Sequence, residues 1–420
     1  MATLDRGLLL NAASVVAARL RAQCIRDADG SVSWVGNARE TAEGSGNPKL
    51  PLPDGIHDFY SGLPGIGLFF AAHGRLTGDA ESRELALRIF APLRQQARAV
   101  AAGSLAHSLA RLGIGGLVGA GSLLYCFVKL GQLLDDASLL DEAHALSALI
   151  TPEELTADIR LDVVYGCAGA ILTLLSLGRV ADRPNPRGQT PLELAQVARG
   201  HLLRHRISFE QGPRAWARRT FSWPRSGMAH GTTGVCMALA RLANRVGGDT
   251  ESWDAIAEAL RFERQLFDPQ SGNWFLSPER ERKFLLGWCH GAPGMALGRI
   301  ALLDLAPPAT LDASLREELG WALTTLRTSP PYAMDHLCCG NMGWAETLLR
   351  AWQHTEENVL LQKAHAIALH VLRAAKTRGG FHLGPGNDRE PSFFHGLAGL
   401  GYGFLRLAEP STLPCLALFE

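Results

Sequence analysis

Cysteine and histidine recur in one register of this chain. Cys289-His290 precedes Gly291, Cys338-Cys339 precedes Gly340, Ala229-His230 precedes Gly231 and Phe394-His395 precedes Gly396, and each of these glycines opens a Gly-x-x-Gly. Soft thiolates favour zinc over hard cations such as magnesium. A catalytic zinc commonly takes three protein ligands and keeps a fourth position for water or substrate. Cys289, Cys338 and Cys339 are therefore the candidate metal ligands, with His290 and His395 as weaker ones. The other five cysteines, Cys24, Cys126, Cys167, Cys236 and Cys415, lie inside apolar runs and read as small buried hydrophobes.

Residues so far apart in the chain need an architecture that brings them together. The Gly-x-x-Gly recurs seven times, led by Gly62, Gly116, Gly166, Gly231, Gly291, Gly340 and Gly396, and each copy runs into an aliphatic, helix-like stretch. The spacing, about 56 residues, is a repeat length of solenoids and closed arrays. Between copies lie amphipathic stretches: Ala80 to Ala101, Leu139 to Leu149, Leu192 to Leu203, Trp253 to Leu266 and Leu315 to Leu326. Helices without a polar face must be buried. Seven of them are all buried if they face one another in a ring enclosed by the amphipathic set, so the expected fold is all-α, an α/α toroid of seven inner and seven outer helices in a single domain, 1–420. Its glycine loops then gather at one rim, where glycine tolerates positive φ and close backbone approach. The short strand signals at Val32 to Val35 and Gly380 to Leu383 read as loop hairpins.

Bulk properties narrow the function class. With 41 basic and 41 acidic residues the formal charge is zero, so nothing in the overall charge points to nucleic acid or an anionic membrane as the main partner. The amphipathic stretch Leu8 to Ile25 carries Arg19 and Arg21 and makes a poor signal peptide. The longest apolar segment, Gly113 to Val128, is too short and glycine-rich to span a bilayer. The cysteines show no disulfide framework, which suits a reducing cytoplasm.

The segments Trp288-Cys-His-Gly-Ala-Pro-Gly294, Leu337-Cys-Cys-Gly-Asn-Met-Gly343 and Ala229-His-Gly-Thr-Thr-Gly234 resemble the lanthionine synthetase C-like family. Phe59-Tyr-Ser-Gly-Leu-Pro-Gly-Ile-Gly-Leu-Phe-Phe70 and Gly396-Leu-Ala-Gly-Leu-Gly-Tyr402, with Leu413-Pro414, extend the likeness to the cyclase half of class II lanthipeptide synthetases. The resemblance implies a toroid with Zn2+ at its rim, held by Cys289, Cys338 and Cys339. It implies addition of peptide cysteine thiolates to dehydroalanine or dehydrobutyrine, giving lanthionine and methyllanthionine rings. His230 is implied as the general acid that protonates the enolate. Asp162 matches an acidic position of the family, where it deprotonates the thiol or orients His230; the competing reading is a carboxylate capping backbone N–H groups. Most of the family has Cys-His where this chain has Cys338-Cys339, a pattern similar to class II enzymes that tolerate varied peptides. Leu285 stands at the position of a class I arginine, which leaves that role absent or with Arg282 or Lys283. Asp335 and His336 could support the ligands from behind.

The implied partners are a dehydrated precursor peptide with its leader and a dehydratase, supplied as a separate protein or as a domain from which this chain is excised. Three rivals stay open at this point. The same chemistry could join glutathione or another small thiol to dehydrated residues, or the zinc could be closed by a fourth protein ligand in a non-catalytic peptide-binding scaffold. By fold analogy alone, a toroidal hydrolase or prenyltransferase is the remaining one.

Overall fold

The computed structural model describes residues 5–28, 30–35, 58–103, 109, 112–218, 223–278, 284–384 and 388–420. Its helices are, in chain order, α1 (Arg6–Gln23), α2 (Leu63–Thr77), α3 (Ala80–Ala101), α4 (Ala120–Leu134), α5 (Ala137–Leu146), α6 (Pro152–Thr156), α7 (Cys167–Gly178), α8 (Pro191–Arg204), α9 (Thr232–Val246), α10 (Thr250–Arg264), α11 (Ala292–Leu303), α12 (Ala309–Thr328), α13 (Asn341–Thr355), α14 (Asn358–Arg378) and α15 (Leu397–Ala408). Among the described residues three antiparallel hairpins of two-residue strands decorate the loops.

The inner helices α2, α4, α7, α9, α11, α13 and α15 each pack on the next, and α15 packs back on α2, so the ring closes. Each inner helix also packs on one outer helix: α3, α5, α8, α10, α12, α14 and, for α15, the N-terminal α1. The amphipathic stretch that opens the chain is thus the seventh outer wall. Burial explains the division. Every residue of α4 but Gln132 is buried, whereas α3 buries one stripe that includes Leu85, Ile89, Leu93 and Val100. Four of the seven outer helices begin on side-chain caps, at Asp79, Asp136, Thr190 and Asp249. Inner helices begin on glycine.

Two sequence expectations need correction here. In the second repeat the cap is Gly119 rather than Gly116, which moves that loop's register by three residues. Gly380 to Leu383 forms no strand, while Val32–Ser33 does pair with Ile25–Arg26. The glycines also owe their place more to crowding than to φ. Among the seven caps only Gly119 and Gly291 have positive φ, whereas a Cβ on Gly294, one turn into α11, would run into the Trp288 carbonyl.

Backbone hydrogen bonds lace the loops together around the rim. Phe59 and Tyr60 N–H donate to Leu117 O, Leu117 and Val118 to Val164 O, Met228 and Ala229 to Cys289 O, Trp288 to Cys338 O, Cys338 to Phe394 O, and Phe394 to Tyr60 O. Among the described residues six of the seven loop-to-loop steps are closed this way. The step between the third and fourth loops is made by side chains, described next.

Candidate metal centre

The positions two residues before the glycine caps are the links of this backbone girdle, and Cys289 and Cys338 are two of them. The Cys338 main chain is therefore held on both sides, and that of Cys289 through its own carbonyl on one side and the adjacent Trp288 N–H on the other, before any metal arrives. The three sulfurs converge: Sγ of Cys289 and Cys339 are 2.9 Å apart, those of Cys338 and Cys339 3.4 Å, and all three lie within 4.8 Å of one another. A zinc–sulfur bond of about 2.3 Å can be reached from all three only by a donor set this compact, so the residues present fit such an ion. None of the eight cysteines forms a disulfide. Cys126, Cys167, Cys236 and Cys415 are buried and Cys24 is half-buried, in keeping with their reading as packing residues.

The sulfurs share protons unequally. Hydrogen bonds from Cys289 and Cys338 hold the Cys339 thiol well below its ordinary range, and hydrogen bonds with Cys289 and Cys339, together with burial, push Cys338 up. Tyr60 donates its hydroxyl to Cys338 Sγ at 3.1 Å and lies 3.2 Å from His395 Nε2. Its ring stacks on Phe394.

The histidines take separate tasks. His290 commits its Nδ1 to the Ser226 carbonyl, donating at 2.7 Å. Burial and the neighbouring His230 lower it to about 4. The metal-competent group consists of the three sulfurs, and neither His290 nor His395 belongs to it. His336 accepts from the Cys339 N–H at 3.2 Å and so pins the ligand loop from within. Asp335 faces elsewhere, accepting from Asn341 Nδ2, Arg378 and the His382 N–H. Leu285 is exposed, and Arg282 and Lys283 lie outside the described residues.

His230 and Asp162 make the missing step of the girdle. His230 Nδ1 lies 2.9 Å from Asp162 Oδ2, while Asp162 Oδ1 accepts from the Tyr165 N–H at 2.7 Å. One carboxylate therefore caps its own loop and holds the next loop's imidazole. Asp58 makes the same cap to the Ser61 N–H in the first loop. The Tyr165 ring stacks on His230, with centroids 5.8 Å apart and planes 11° apart. Arg218, which the sequence did not single out, sets its Nε 3.5 Å from Asp162 Oδ2 and its guanidinium over Tyr165. It precedes α9 in an irregular loop, where no periodicity marks it.

The profile described as "Lanthionine synthetase C-like protein" matches residues 55–418. The chain belongs to the lanthionine synthetase C-like family. Among solved structures it is similar to a nisin cyclase, at 16% identity and a TM-score of 0.63 over 87% of this chain and 92% of that one. A sugar epimerase from a ruminal bacterium aligns at 13% identity and a TM-score of 0.45, covering 76% of this chain and 99% of the other. A cellobiose 2-epimerase from Bacillus thermoamylovorans aligns at 11% and 0.42, covering 95% and 99%. The nisin cyclase likeness bears out the α/α toroid. Within this family member the sulfur triad and the His230–Asp162 pair occupy the same rim, and among the described residues no helix is long and apolar enough to cross a membrane.

Proposed function

We propose that this family member is a zinc-dependent lanthionine cyclase acting on a dehydrated precursor peptide. The observation that carries the reading is the convergence of three sulfurs from two loops on the rim that also holds the His230–Asp162 pair. Zinc held by Cys289, Cys338 and Cys339 would supply a Lewis acid that ionises an incoming peptide thiol at neutral pH.

The chain's own residues then manage the proton and the geometry. In the overall addition the thiol S–H bond and the π component of the dehydroamino acid C=C are exchanged for an S–Cβ and a Cα–H bond, and nothing leaves. Asp162 Oδ2 accepts from His230 Nδ1–H, which fixes the tautomer and presents Nε2 as the nitrogen that moves a proton. His230 is the general acid that delivers this proton to Cα. Both Asp162 oxygens are already engaged, by His230 and by the Tyr165 N–H, so Asp162 acts as an orienting group rather than a base for the thiol. Arg218 and Tyr165 brace the pair from the side. Helix starts facing the rim add partial positive charge where the enolate develops.

The test is incubation of the zinc-loaded chain with a dehydrated precursor, counting free thiols by alkylation and mass spectrometry. Loss of alkylatable thiols without change of mass is the expected result. Unchanged thiol counts across several precursors overturn the reading, and mass gain on adding glutathione instead would assign the small-thiol reaction.

A further inference from the structure

A cavity of about 560 Å³ opens at the other end of the ring. Its walls come from the C-terminal parts of four inner helices: Arg75 of α2, Lys129 of α4, Arg350 of α13 and Arg406 of α15, with Ser411 and Thr412 at the mouth. Among the described residues Glu420 is the one carboxylate in that lining. Parallel helices that finish together present unpaired carbonyls and partial negative charge, and the three guanidiniums answer that need. Arg75 donates to the Gln132 and Leu133 carbonyls and pairs with Asp135. Arg406 donates to the Pro410 and Leu413 carbonyls and pairs with Glu346. Arg350 bridges Asp304 and Glu420.

Lys129 does not follow that pattern. It is 5% exposed, donates to Gln132 Oε1 at 3.0 Å and stands 5.3 Å from the Tyr125 ring centroid. It makes no ion pair among the described residues. Burial, with the charges of Arg179 and Arg241, lowers it to about 8 against the opposing pull of the Glu420 carboxylate. Helix-end compensation does not account for a lysine whose ammonium meets a side-chain amide instead of a terminal carbonyl, and with Glu420 acting only from beyond ion-pair distance an ammonium so buried stays under-compensated.

We propose that this cavity binds a compact oxyanion of the phosphate class, free or as a phosphate monoester, on Lys129 with Arg75 and Arg350 at its flanks. Guanidinium and ammonium donors give such an anion short, charge-assisted hydrogen bonds, and the Ser411 and Thr412 hydroxyls add neutral donors at the mouth. A free phosphate fills only part of the volume, which leaves room for the rest of a monoester. The site is remote from the sulfurs, so the proposal stands whether or not the chain closes thioether rings.

The experiment is calorimetric titration of the full zinc-loaded chain with inorganic phosphate and, in parallel, with O-phosphoserine, at ionic strength held constant with chloride. Saturable one-to-one binding of either is expected, and which of the two binds distinguishes the free ion from the monoester. Lys129→Gln should weaken binding by about tenfold or more, as expected for losing a charged hydrogen bond. Ser411→Glu places a negative charge at an exposed mouth position, should weaken binding likewise, and carries the test if the buried lysine variant fails to fold. No saturable heat for either probe, or binding that Ser411→Glu leaves unchanged, overturns the proposal and leaves the basic residues as helix-end compensation alone.

Discussion

At the rim where the inner helices begin, glycine loops carry sulfur, imidazole and carboxylate groups; at the end where those helices finish, the side chains are guanidinium and ammonium. The same ring of helices serves both ends, so helix direction sets the contrast. Starts present open N–H groups and favour anionic species such as thiolates and a developing enolate, whereas finishes present carbonyls and favour cations. The construction differs as well. The first rim is held by backbone hydrogen bonds between neighbouring loops, which leave the side chains available for chemistry. The second is held by side chains, with Arg75, Arg350 and Arg406 each committed to carbonyls or carboxylates. Between the two ends, Arg299 pairs with Glu263 and Glu318 in a fully buried cluster that ties α11 to α10 and α12.

The largest way to break the comparison is to remove a sulfur. Cys289→Ala should abolish metal retention, read by elemental analysis, and cost at least about a thousandfold in cyclisation, since a Lewis acid supplies several kcal/mol. Folding should survive, because that position's girdle bonds are made by its backbone carbonyl. A variant that keeps its zinc would remove Cys289 from the ligand set.

Next in size, His230→Gln should lower the cyclisation rate by about a hundredfold to a thousandfold with zinc content unchanged. Asp162→Asn should cost less and track His230, as expected for an orienting group. If Asp162→Asn proves more damaging than His230→Gln, the assigned roles are reversed.

Glu263→Ala sharpens the contrast between wall and rim. Glu263 accepts from the Gly227 and Thr233 N–H groups on either side of the His230 loop and pairs with Arg299. Its removal takes one of the two carboxylates from the buried Arg299 and leaves the Gly227 and Thr233 N–H groups without their acceptor, so thermal or denaturant unfolding should show a loss of about 3–5 kcal/mol. Zinc stoichiometry of the remaining folded protein should be normal. The smallest effect is expected at the far end, where Arg245 pairs with Asp182 at the surface, their side chains 51% and 35% exposed. Arg245→Ala should shift stability by under about 1 kcal/mol and leave cyclisation unchanged. A large loss of activity there would mean that the two ends communicate.

Much of the ring was legible because its signals are local. The glycine register located six of the seven inner-helix caps to the residue, and the Ala80 to Ala101 pattern coincides with α3. The second repeat was misaligned because Gly113, Gly115, Gly116 and Gly119 crowd one loop, and only the hydrogen bonds of Ala120 and Ser122 show where the helix starts. The opening stretch was legible as amphipathic, yet its helix and its position against α15 follow from ring closure. Arg218 was illegible because its partners, Asp162 and Tyr165, lie more than fifty residues upstream in another loop.

The amino-acid sequence by itself determined how many buried helices there are and which residues stand just before each of them, because periodicity and glycine placement act over a few residues. That already put three cysteines at one rim. Which way each side chain turns was decided by the tertiary structure. His290 goes to the Ser226 carbonyl, His336 to the Cys339 N–H, and Asp162 to His230 as well as to its own loop. The His290–Ser226 and His230–Asp162 contacts depend on partners that packing and girdle bonds bring in from a different loop, whereas His336 and the Asp162 cap bond three residues along their own loops.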